Sequence, residues 1–170
     1  SFRHASREVR FDLYHRTLKM IHKLHVYSLD DFRQRSVPLM NSFDDDLYRW
    51  EREYFLENFL EEVCGMDTAS SLFLELEKEL SGLADRIMKN GMQLIHRDLQ
   101  SQNVMIKNGE PALIDFQGMR RGSMFYDLGS FFYDPYVSLT DDERLELLYF
   151  YYSLDHREFD WDAFKTYFHE

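Results

Sequence analysis

The stretch that most constrains this chain runs from Leu94 to Asp115, LIHRDLQSQNVMIKNGEPALID. Two short apolar runs, Val104–Lys107 and Ala112–Ile114, flank Asn108-Gly109. That dipeptide is the strongest short hairpin signal, because both residues accept the positive φ that a tight turn needs. Pro111 falls near the start of the returning strand, where a missing N–H is tolerable. A hairpin brings its open ends together, so Asn103, just before one strand, and Asp115, just after the other, are predicted to be neighbours. Leu94-Ile95 precedes as a further strand and His96-Arg97-Asp98 as a sharp polar loop.

Those residue types at that spacing point to phosphoryl transfer. The reaction asks a protein mainly for positioning and for charge neutralisation around phosphates. A carboxylate must stand near an attacking hydroxyl, and hard oxygen ligands must hold a magnesium ion that bridges phosphate oxygens. Asp98 suits the first task; Asn103 and Asp115 suit the second. Alone, His-Arg-Asp is an ordinary polar turn and Asp-Phe means nothing. The conjunction of His-Arg-Asp-x-x-x-x-Asn, a hairpin and Asp115-Phe116 carries the reading.

Composition narrows the alternatives. A chain of 170 residues suits one domain, 1–170, with a sizeable core, and 15 Phe and 11 Tyr argue against disorder. The net charge of −11 disfavours a nucleic-acid or anionic-membrane surface; the short basic pairs Arg33/Arg35 and Arg120/Arg121 have acidic neighbours. Cys64 is the single cysteine, so an internal disulfide is impossible, and its apolar helical context predicts a buried, inert thiol. The opening residues do not read as a signal peptide and the apolar run Leu147–Tyr152 is too short to span a bilayer, so a cytoplasmic protein is expected.

Helical periodicity predicts a first amphipathic helix from Glu8 to Val26. His22 and His25 lie three apart on it, a pair without a visible third ligand and so no metal centre. Ser28 to Asp46 reads as a connecting loop, punctuated by Ser36-Val37-Pro38 and Asn41-Ser42. Asp44-Asp45-Asp46 should start a second helix whose Leu47, Trp50, Tyr54, Phe59, Leu60 and Val63 form a core face ending at Gly65. A third helix is expected over Thr68–Lys89, stopped by Asn90-Gly91. Trp50, with Glu51 and Glu53, could instead line a substrate pocket. Gly118–Gly122 reads as a loop leading into a short helix around Asp127, a carboxylate that in an apolar setting needs a partner: the polar loop's backbone, an arginine, or a helix N-terminus to cap. Thr140-Asp141-Asp142-Glu143 is a capping box, and Asp160 caps a last aromatic segment.

The motifs HRDLQSQNVMI, IDFQG and YDLGSFFYDPY resemble the aminoglycoside phosphotransferase and choline kinase superfamily, itself kinase-like. Within it they resemble bacterial kinases acting on the anomeric hydroxyl of N-acetylmuramate or N-acetylglucosamine. Gln117, where protein kinases have the glycine of Asp-Phe-Gly, favours this small-molecule branch. The resemblance implies an α+β, mainly helical, protein-kinase-like C-terminal lobe, with a small β-hairpin carrying the active-site loop. It implies a catalytic loop over 95–103 and a metal-binding segment over 113–118. Asp98 would be the catalytic base, Asn103 and Asp115 the Mg2+ ligands, and His96, Arg97 and Asp127 the loop supports. Trp50, Gln100, Asp134 and Tyr136 would lie on the acceptor side, with ATP as co-substrate. No glycine precedes Gly65, so no glycine-rich phosphate-covering loop stands ahead of the motifs. The expectation is a lobe lacking its N-terminal partner lobe, binding ATP poorly on its own, its aromatic tail meant to pack against the missing part. The alternatives are a catalytically silent kinase-like binding module and a choline, homoserine or aminoglycoside kinase.

Overall fold

The computed structural model describes residues 5–28, 31–32, 38–89, 91–154 and 160–169. Arg33, Arg35, Ser36, Val37 and Asn90, named above, lie outside the described residues. The first helix, α1 (Arg7–His25), is capped by Ser6, whose hydroxyl accepts the Val9 N–H. Its inward stripe of Phe11, Tyr14, Leu18 and Ile21 is buried. This stripe packs with α4 (Met124–Phe132), α5 (Asp141–Tyr152) and α6 (Trp161–His169) into the main core. Thr140 and Glu143 form the predicted capping box at α5, and Asp160 accepts the Ala163 N–H at 2.8 Å. The aromatic tail does not await an absent lobe: Phe164 and Phe168 are buried in this same core, against Phe125 and Phe132.

The second helix, α2 (Asp45–Phe55), starts at Asp44, whose carboxylate accepts the Leu47 N–H, and runs directly into a π-helical stretch, Leu56–Glu61. The wide turn adds a residue per turn and rotates later positions relative to a 3.6-residue projection. The expected core face is wrong in detail both before that stretch and within and after it. Tyr48, Leu56 and Leu60 are buried, while Trp50, Tyr54, Phe59 and Val63 are 48–71% exposed. Cys64 is exposed too, contrary to expectation, because it sits in the turn after the π-helix rather than on a helix face. Gly65 ends the segment at φ +65°. The third helix, α3 (Ser71–Met88), returns beside α2 and leads to the site.

Two antiparallel two-stranded sheets complete the described fold. The hairpin of β2 (Val104–Lys107) and β3 (Glu110–Leu113) turns at Asn108 (φ +54°) and Gly109 (φ +79°), as the dipeptide dictates. The other sheet pairs β1 (Gln93–Ile95) with β4 (Arg120–Gly122), a strand where the sequence suggested a loop. Arg120-Arg121-Gly122 carries no apolar alternation; pairing with β1 decides its conformation. Toward the end of the expected Ser28–Asp46 connection, Met40 and Phe43 donate their N–H groups to the Met119 and Arg121 carbonyls.

Asp127 fixes one part of this frame to another. It is fully buried on α4, and its two oxygens accept the His96 N–H at 2.7 Å and the Arg97 N–H at 2.9 Å. His25 of α1 adds Nε2 at 3.0 Å, and its Nδ1 meets the Tyr151 hydroxyl at 2.7 Å. The loop's backbone is thus the partner this carboxylate needed. The helix cap is Ser123, not Asp127.

Two stability outcomes follow. Asn at Asp127 can serve only one of the two N–H donors and turns an NH2 on the other, so Asp127→Asn should lose roughly 2–5 kcal/mol in urea unfolding. A Cβ on Gly122 would come 2.5 Å from Ile95 Cδ1 and 2.9 Å from Phe43 Cδ2. Gly122→Ala should therefore cost about 1–3 kcal/mol, read as a lowered thermal midpoint, whereas Gly129→Ala, in a helix with open space around it, should not.

Candidate active site

The polar loop after β1 is built around one apolar anchor and several backbone bonds. Leu99, fully buried, is the anchor; it is the single large apolar residue between Ile95 and Val104, a signal the sequence reading passed over. Arg97 holds φ +80°, a strained conformation for a side chain of its size, kept there by the Asp127 bond to its N–H. Gln100 donates its N–H to the Asp98 carbonyl at 3.0 Å, and its own carbonyl accepts the Asn103 N–H at 2.9 Å. Buried His96 places Nε2 2.9 Å from the Ile114 carbonyl. A carbonyl only accepts, so Nε2 carries the proton, and the bond ties the loop to the chain leaving β3.

The hairpin ends meet as predicted: the Ile114 N–H donates to the Asn103 carbonyl at 3.0 Å. The Asn103 Nδ2 group donates to the Asp98 carbonyl at 2.8 Å, which leaves its Oδ1 available as a ligand. Asp115 is exposed at φ +63°, with one carboxylate oxygen held by the Gln117 side-chain amide. One amide oxygen and one carboxylate form a hard, oxygen-only donor pair. Such a pair suits Mg2+, which usually keeps several waters and takes one or two protein ligands plus phosphate oxygens. Among the described residues no group of three or more His, Cys, Asp or Glu forms a metal cage.

The Asp98 carboxylate is about half exposed; Arg97 Nη1 stands 3.3 Å from its Oδ2. Gly118, in the turn after Asp115, lies so close that a Cβ there would be 3.3 Å from the same oxygen. Glu51 of α2 lies within electrostatic reach of Asp98 and accepts the Tyr126 hydroxyl at 3.1 Å. Burial pushes its carboxyl above the usual range, against the pull of Tyr126, Arg97 and Arg120. Burial also raises the Tyr126 hydroxyl.

The remaining expected acceptor-side residues scatter. Trp50 is exposed on α2, its ring tilted by 33° against that of Tyr54 with centroids 5.6 Å apart. Asp134 is buried, its oxygens taken by the Ser101 N–H at 2.6 Å and the Tyr136 N–H at 2.9 Å, so it braces the loop instead of facing open space. Tyr136 lines a cavity of about 410 Å³ behind the loop, between α1 and β2, with Tyr14, Ser101 and Ile106. On the hairpin, Met105 pairs with Ala112, and Ile114 follows two residues on, giving an exposed apolar face beside Asn103 and Asp115. Strand alternation could have found it in the sequence.

Comparison with known proteins agrees with this architecture. Over 97 residues, 57% of this chain, it is 30% identical to the N-acetylmuramate/N-acetylglucosamine kinase of Pseudomonas putida. The same-named enzyme of Neisseria meningitidis is 23% identical over 114 residues. The matched segments span 29% and 34% of those relatives. Among solved structures, the choline kinase of Streptococcus pneumoniae superposes with a TM-score of 0.55 at 16% identity, over 86% of this chain and 48% of that one. A type VIII aminoglycoside-3′-phosphotransferase gives 0.56 at 15% identity, over 96% and 60%. The chain thus spans about half of those structures and shares the helical, C-terminal-lobe architecture of the kinase-like fold. No helix among the described residues is long and apolar enough to cross a membrane. The sequence pattern of the phosphotransferase enzyme family matches residues 2–167, and the chain belongs to that family.

Proposed function

We propose that this chain carries the catalytic loop, over 95–103, and the metal-binding segment, over 113–118, of an ATP-dependent kinase. Its acceptor is a hydroxyl of a small metabolite, an N-acetylated amino sugar. The observation that carries the reading is the meeting of Asp98, Asn103 and Asp115 at the open end of one hairpin, bonded through the Asp98 carbonyl and the Asn103 amide. The relatives named as amino-sugar kinases support the choice of acceptor.

Asp98 orients the acceptor hydroxyl and takes its proton as the oxygen attacks. Half exposed, its carboxylate is reachable by a ligand, while Arg97 and Gly118 limit where it can swing. Asn103 and Asp115 would hold Mg2+, which neutralises charge on the phosphates when bound. The apolar face of Met105 and Ile114 gives the nucleotide base a floor beside that pair. His96, Arg97 and Asp127 keep the loop in register, and Gln100 and Asp134 close its turn.

The test is ADP release with Mg2+ and ATP against N-acetylmuramate, N-acetylglucosamine, choline, homoserine and an aminoglycoside. It is run on this chain and on any longer product of the same reading frame. Turnover on an amino sugar is expected, falling by about 10²-fold or more in Asp98→Asn, in line with loss of a general base. Turnover unchanged by Asp98→Asn would remove that assignment. Silence on every acceptor would favour a kinase-like binding module.

A further inference from the structure

We infer that Glu51 and Tyr126 form an acceptor-binding pair that selects an uncharged, hydrogen-bonding ligand over a cationic one; this deepens the reading above and rests on it. Neither residue belongs to the loop or the hairpin. Glu51 projects from α2, and Tyr126 from the first turn of α4, one residue before Asp127. The Tyr126 ring is wedged against Phe43, with centroids 4.7 Å apart, so its hydroxyl is aimed by packing and not by chance. That hydroxyl donates to Glu51 Oε1 at 3.1 Å, which orients the carboxylate while Oε2 has no bond to the described residues.

The surroundings decide what such a carboxylate can bind. Glu51 lies within electrostatic reach of Arg97, Arg120 and Asp98. Among these four groups, two carboxylates and two guanidiniums balance in formal charge, so Glu51 and Asp98 are not an unopposed acidic pair. Arg120 is buried with its guanidinium over the Phe43 ring, 5.3 Å from the centroid, and Arg97 is fixed beside Asp98. Both cations therefore stay with the site. For a quaternary ammonium or polyamine entering it, their repulsion offsets the attraction of the two carboxylates, and a quaternary ammonium offers Glu51 no hydrogen-bond donor in return. Hydroxyl and amide N–H groups would instead find, in Glu51 Oε2, an ionised acceptor in a partly desolvated setting, the arrangement that makes hydrogen bonds strong. Glu51 would hold the acceptor's other hydroxyl or amide groups while Asp98 addresses one hydroxyl. Glu51 would then be a specificity residue and not the base.

The experiment compares wild type with Glu51→Gln and Tyr126→Phe. Gln keeps an oxygen for the Tyr126 hydroxyl but removes the charge. Because burial opposes the ionised form of Glu51, the Gln variant should fold with an undiminished thermal midpoint at pH 7. In the ADP-release assay, Glu51→Gln should raise KM for N-acetylglucosamine about tenfold or more and leave KM for ATP unmoved; Tyr126→Phe should do the same more weakly. Saturation-transfer NMR with N-acetylglucosamine and with choline reads binding without turnover, so it separates this proposal from the kinase assignment. Sugar binding that weakens in Glu51→Gln, with choline bound less well than the sugar, supports the pair. Choline preferred over the sugar, binding of neither probe, sugar binding indifferent to Glu51→Gln, or a midpoint lowered by that change would overturn it.

Discussion

A single buried carboxylate, Asp127, sets the geometry on which the candidate site depends. Its two oxygens hold consecutive backbone N–H groups, those of His96 and Arg97, at 2.7 and 2.9 Å. Few arrangements fix a loop so fully. Two parallel bonds from neighbouring residues define both position and direction, and a fully buried carboxylate without them would be costly. The strained φ of Arg97, +80°, persists because this bond over-determines it. His25 and Tyr151 extend the same network into α1 and α5, so the loop is tied to the main core on three helices.

A second set of bonds couples the loop to the hairpin. His96 reaches the Ile114 carbonyl, Asn103 reaches the Asp98 carbonyl, and Gly118 lets the turn after Asp115 close over the Asp98 carboxylate. The three residues proposed for chemistry are thereby positioned by backbone contacts, while the chemical groups themselves stay accessible. That division suits a reaction whose catalysis is mostly placement of groups and neutralisation of charge.

The hairpin, the meeting of its ends and the helix caps were legible in the sequence because each rests on local chemistry. Asn108-Gly109 takes positive φ, Thr140 and Glu143 cap reciprocally, and Asp44 and Asp160 accept first-turn N–H groups. What escaped depends on partners distant in the chain. β4 exists because β1 pairs with it, and Arg120 is buried because Phe43 offers it a ring face. The π-helical stretch turned Phe59 and Val63 outward and left Cys64 exposed, which no 3.6-residue periodicity anticipates. Asp134, placed on the acceptor side by resemblance, proved buried under Ser101 and Tyr136, and Glu51, read from the sequence only as a neighbour of Trp50, acquires a partner, Tyr126 of α4, that the folded chain alone supplies.

The central claim is that Asn103 and Asp115 jointly hold the phosphate-bound metal. Mn2+ with ATP, added in place of Mg2+ while amide resonances are followed by NMR, tests it most directly, because paramagnetic broadening reports distance from the ion. The expected result is selective broadening of the Asn103 side-chain amide and of the backbone amides from Asp115 to Gln117, lost in Asp115→Asn. Broadening centred elsewhere, or unchanged in that variant, would contradict it.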